Sequence, residues 1–301
     1  MSVYTTDDLI KSIRVRGMFP DASKGSYSAE NLLMVASEEL SIKVVPMILS
    51  AREKYYETFV DYPLVSGMPL YPIPERAVGG VISLAQYIIN QSVANLTPLD
   101  PTSVLTTVTG LYPKGFFFED DHIMVYPTPN ASQGTIRLRY PQRTSRLAAT
   151  IDCAKVTSVN PNTFVVSVYS IPSSWTSSTV IDFVGGHAPC SPYGIDTAIL
   201  NVTGTDISFS ALPLDQNGAV AVKVGDWIAP AGFTPLPGIM EEFFPVLAQC
   251  TVVKLLEAVG DAGNLQSARD DLKVNVSNAL KLITPRDQFG LKKVTSNWRQ
   301  W

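Results

Sequence analysis

Histidine and cysteine are scarce in this chain, two and three residues in 301, and much of the chemistry that such side chains supply is scarce with them. Cys153, Cys190 and Cys250 are odd in number and widely spaced, so they read as no disulfide framework and fit a reducing compartment. A bulk excess of basic charge is also missing. Lys and Arg number 23 against 27 Asp and Glu, a formal net charge of -4, which offers no global basic face for sequence-independent capture of nucleic acid. The opening stretch, MSVYTTDDLIKSIRVRG, has acids early and no long apolar run, unlike a secretory leader or an anchor. Expected from this is a chain made in a cytoplasm and free of membrane. Solenoid repeats and low-complexity runs are absent from the sequence as well.

Motifs for catalysis are equally thin. There is no Gly-x-Ser-x-Gly elbow, and Gly79-Gly80 and Gly185-Gly186 stand without the further residues that cradle a phosphate, so they read as turns. His187 and Cys190 have a spacing that suits zinc, but the second pair of ligands is missing, and a loop with a buried thiol is the plainer reading. Glu119, Asp120 and Asp121 cluster oxygens as a hard cation requires, yet no ligand ladder follows, and a solvated turn fits better. The expectation is no catalytic residue, no metal and no cofactor.

What is present is a large apolar fraction, 46%, and a clear change of periodicity along the chain. Thr6 reads as the cap of a first helix with Leu9, Ile10 and Ile13 inward, stopped by Gly17. Ser28 reads as the cap of a longer helical stretch, residues 28–60, with Leu33, Ala36 or Ser37, Leu40 and Val44 on one face, a bend at Val45 forced by Pro46, and Leu49, Arg52, Tyr56 and Phe59 continuing the stripe. Turn-rich sequence follows, with a hairpin predicted at Ser66-Gly67 and strands around 81–90, 116–118, 123–126 and 135–141. From residue 154 onward, short strands at regular spacing predict a small barrel or sandwich. Helical spacing returns near residue 238, broken by Gly260 and Gly263, and ends at Pro285.

The fold class predicted is α+β. Residues 1–60 and 237–284 are expected to form one helical bundle, and residues 61–236 a large antiparallel β insertion with subdomains 61–150 and 151–236. The final segment, residues 285–301, sets Arg286, Lys292, Lys293 and Arg299 beside Trp298 and Trp301, with Asp287 as the one opposing charge. It reads as an extended docking tail, mobile when free and ordered on a partner, with the indoles as anchors.

Several blocks together carry a resemblance: DDLIKSIRVRGMFPD, EELSIKVVPMILSAREKYY, YPLVSGMPLYPIPERAVGG, FPVLAQ, EAVGDAGNLQSA and the closing ITPR. In this order, with β sequence between, the chain resembles the tail adaptor (head-to-tail connector) proteins of short-tailed, podovirus-type bacteriophages. That resemblance implies a structural virion protein at the neck between capsid and tail, assembled in the host cytoplasm, about twelve copies closing a homo-oligomeric ring beneath the portal protein. It further implies that DNA passes through the ring without sequence-specific binding, that a tail nozzle or other tail component docks below, and that no catalytic residue is carried. Two readings from other classes stand beside it. One is a β-rich tail accessory module binding host glycan through Trp175 and Tyr193; the other is a metal-dependent nuclease or lyase built on Glu119 to Asp121.

Overall fold

The computed structural model describes residues 4–20, 25, 27–90, 92–103, 108–187, 190–215 and 218–283. It is a mixed α+β structure with a helical layer and two β units.

Thr5 rather than Thr6 caps α1 (Thr6–Gly17). Its hydroxyl accepts the Asp8 N–H at 3.3 Å and the Asp8 carboxylate accepts the Thr5 N–H at 3.1 Å, a reciprocal capping box. Thr6 is buried instead, donating its N–H to the Pro235 carbonyl at 2.9 Å and its hydroxyl to the Ala148 carbonyl at 2.7 Å. The first helix is thereby pinned to segments far along the chain.

Ser28 caps α2 (Ala29–Glu39), accepting the Asn31 N–H at 3.4 Å. The helical stretch predicted to reach residue 60 ends sooner. Leu40–Val44 make a π turn in which the Val45 N–H reaches back to the Leu40 carbonyl, and α3 (Val45–Ala51) follows. Pro46 has no N–H to bond the preceding turn, and the one-residue slip lets the helix run past it. Arg52 has left helical geometry at φ -139, and Thr58, Phe59 and Val60 enter a strand, where β-branched and aromatic side chains pack well. Tyr56 and Phe59 therefore do not continue the helical stripe.

The first β unit runs through β1 (Glu57–Pro63), β2 (Leu70–Pro72), β3 (Leu84–Ile89), β4 (Ser92–Asn95), β5 (Thr97–Pro98), β6 (Thr109–Gly110), β7 (Gly115–Glu119), β8 (His122–Tyr126), β9 (Thr128–Pro129) and β10 (Thr135–Pro141). Two four-stranded sheets, in the orders β1-β10-β3-β4 and β2-β8-β7-β5, share a core of Tyr71, Tyr87, Phe116, Ile123, Ile136 and Leu138. The hairpin predicted at Ser66-Gly67 does not form: β1 lies against β10 and β2 against β8. The acidic turn between β7 and β8 does close a hairpin, with Glu119 opposite His122.

After β11 (Arg146–Leu147) comes the second unit: β12 (Ala154–Asn160), β13 (Val165–Val168), β14 (Val180–Val184), β15 (Pro192–Thr203), β16 (Asp206–Phe209) and β17 (Trp227–Pro230). These six close into a barrel in the order β12-β13-β16-β15-β14-β17, because β17 pairs with both β12 and β14. Val156, Val166, Ile181, Phe183, Ile207 and Ile228 fill it. The last strand, β18 (Phe233–Thr234), runs parallel to β11, as β5 does to β7 and β6 to β9, so the β part is not wholly antiparallel.

The helical layer is centred on α4 (Phe244–Val259), which is apolar nearly all round and buries Val246, Leu247, Cys250 and Val253 among others. Leu9, Ile13, Leu32, Leu33, Leu40 and Ile48 from the start of the chain join this core, as does Ile283 at the end of α5 (Ala262–Ile283). Gly260, left-handed at φ 75, ends α4; Gly263 lies inside α5 and does not interrupt it. The helices are not a self-contained bundle of the two chain ends. Leu147 of β11 sits in the same core, and its N–H donates to the Ser37 hydroxyl at 2.9 Å, so a β segment closes one side.

Candidate functional site

Two places gather polar groups in a way that simple packing does not require. The first is the end of α5. Ile283 is 2% exposed in the helical core, and its carbonyl accepts the Arg52 Nε–H at 3.4 Å. A guanidinium thus meets the negative end of a 22-residue helix, with Lys281 in the same last turn. The predicted docking residues Arg286, Lys292, Lys293, Trp298, Arg299 and Trp301 lie outside the described residues.

The second place is the junction between the β units. Asp182 on β14 is fully buried, and Arg76, from the loop after β2, grips both its oxygens at 2.5 and 3.1 Å. The same carboxylate accepts the Asp196 N–H at 3.0 Å and the Gly232 N–H at 2.9 Å, so four donors saturate it. Arg76 reaches onward to the Asp196 carboxylate at 2.8 Å. Burial works against the Arg76 charge, but its bond to Asp182 and the two carboxylates outweigh that and hold its pKa above the ordinary arginine value. Nearby, the buried Asp226 accepts the Tyr193 hydroxyl at 2.7 Å and the N–H groups of Gly186 and Lys223, both at 2.8 Å. Burial first, and Asp226 next, raise the Tyr193 phenol far above its usual value.

No protein-family model matches the chain, and no curated protein matches it.

The other residues singled out in the sequence are scattered. Glu119, Asp120 and Asp121 form an exposed hairpin tip, with Asp121 paired to His122 at 2.5 Å. His187 is exposed while Cys190 is buried, and burial together with the Asp226 charge pushes the Cys190 thiol up to about 11. Among the described residues, no three of His, Cys, Asp and Glu come together in a metal-holding group. No described helix is long and apolar enough to cross a membrane. Trp175 is packed into the barrel core, and the half-buried Tyr193 donates its hydroxyl to Asp226 and stacks its ring against Phe183.

Sequence reading missed the Arg76–Asp182 pair, whose members are 106 residues apart. A signal was there: Asp182 stands in VIDFV, a lone carboxylate in an otherwise apolar strand, and a buried charge demands a partner. What the arrangement achieves is a buried, fully satisfied ion pair joining the loop after β2 to the barrel strand β14.

Proposed function

We propose that the chain is a structural assembly protein, the head-to-tail adaptor of a short-tailed phage, forming a ring beneath the portal at the virion neck. The observation that carries this reading is a core shared by helices before residue 52 and after residue 243 and closed on one side by Leu147, while both β units are drawn from the stretch between. A helical layer joined to two separate β units suits a connector that receives one partner on its helical part and another on its β part. The helical layer would be the part seated on portal; the β units would face the tail nozzle. Net acidity suits a channel through which DNA passes without sticking. No chemical step belongs to this role.

The test is direct. Purified protein is mixed with the portal of the same phage and followed by light scattering after gel filtration. The expected result is a small oligomer alone and a discrete ring complex with portal, because ring contacts weak enough to avoid early closure need a template. Protein that ignores portal, but is retained on immobilised host glycan, would overturn the adaptor reading.

A further inference from the structure

A cleft of about 480 Å³ opens between the π turn of the helical layer and the first β unit, lined by Ser41, Arg76, Arg143, Thr144, Ser145 and Arg146, with Val45, Val78 and Gly232 completing the wall. Three arginines and three hydroxyl-bearing residues line it, and no acidic residue is among them. Arg76 is already balanced by Asp182 and Asp196. Arg143 and Arg146 are exposed, and neither guanidinium has an ion-pair partner among the described residues. The backbone anchors both: the Arg143 N–H donates to the Arg76 carbonyl at 2.7 Å, and the Arg146 N–H to the Gly232 carbonyl at 2.9 Å. Behind them the Ser145 hydroxyl is buried without a hydrogen-bond partner. Guanidinium donors without an ion-pair partner in a concave site are capacity for an anion. Counted with the two carboxylates that hold Arg76, the cleft carries three positive charges against two negative, in a chain whose net charge is -4.

We infer that this cleft is an oxyanion-binding site for a phosphate group, recognised by Arg143 and Arg146 with the Thr144 hydroxyl beside them. Arginine forks suit tetrahedral oxyanions because two N–H groups reach two oxygens at once. The group is either a free phosphate-class anion or a phosphate of a nucleic-acid backbone, and the chemistry of recognition is the same.

The probe is inorganic phosphate, added to the full-length protein at constant ionic strength made up with chloride. Melting temperature should rise with phosphate, and titration calorimetry should give saturable binding. The double variant Arg143→Ala/Arg146→Ala, altered only at exposed side chains, should melt like the parent without phosphate and lose affinity about tenfold or more. Lys11→Ala, an exposed charge on α1 away from the cleft, should leave binding intact. A short DNA duplex in a second arm identifies the source. Duplex binding that phosphate competes away and the double variant loses points to the nucleic-acid backbone; phosphate binding without duplex binding points to a free anion. No phosphate effect beyond that of chloride, or an equal effect in the double variant, would overturn the inference.

Discussion

At the residue scale the most consequential group is Asp182, because a fully buried carboxylate is tolerable only while its four donors stay in place. Arg76→Ala removes two of them and leaves the charge behind. It should cost about 3–5 kcal/mol in urea unfolding, the usual penalty for orphaning one half of a buried pair. Arg76→Leu with Asp182→Leu should recover only part of that, since the N–H groups of Asp196 and Gly232 then lose their acceptor. Leu147→Ala should cost about 2–5 kcal/mol by opening a cavity in the helical core, although the residue belongs to a two-residue strand. The three cysteines give a pH prediction. Burial raises Cys153 to about 12 and Cys190 and Cys250 to about 11, so the folded state holds the neutral thiol. Below about pH 8.5 both states are protonated and this contribution is fully present. Above it the unfolded chain ionises first and binds fewer protons, so stability falls as pH rises toward about 11 to 12. Melting temperature against pH should decline over that window, and a thiol reagent at pH 8 should label the protein only after denaturant is added.

At the element scale the helical layer depends on the β part for one of its walls. A variant lacking residues 61–236 loses Leu147 from the core, both backbone acceptors of Thr6 and the Ser37 contact at once. It should keep some helical circular dichroism but melt without a cooperative transition. The same dependence explains which elements were legible in advance. Leu9, Ile10 and Ile13, or Leu33, Ala36 and Leu40, repeat at helical spacing because a single face is buried, and that pattern survives in sequence. The π turn left no comparable mark: Pro46 announced a disturbance, but whether the helix breaks, kinks or slips register is decided by packing. Tyr56 and Phe59 fell by chance on the stripe of the preceding helix, and Glu57–Pro63 became strand because β10 offers a partner. Ser66-Gly67 has the composition of a hairpin turn, yet the strands on either side found long-range partners instead. Barrel and sandwich could not be told apart from spacing, since closure rests on one strand, β17, bonding two neighbours. The Arg76–Asp182 junction escaped for a similar reason: periodicity records which face is buried, not which distant residue meets it. The tail proposed as a docking element had a compositional signal alone, and it falls outside the described residues.

At the scale of the whole molecule, the packed helical core reaches Ile283, so a chain ending after Thr284 should fold and melt like the parent. If residues 285–301 dock on portal, the truncated protein should fail to load, and Trp298→Ala with Trp301→Ala should reproduce much of the defect, one buried aromatic anchor being worth on the order of 2 kcal/mol or more. Ordering a segment on binding returns part of that gain as lost entropy. Loading by the truncated protein at the parental level would place the contact elsewhere on the helical layer. The measurement that bears most directly on the adaptor reading is a cryo-EM reconstruction of the protein mixed with its portal ring. It should reveal a closed ring of copies with the helical layer against portal, the β units away from it, and a continuous central channel. Portal particles bare of added density at saturating protein would contradict the proposal.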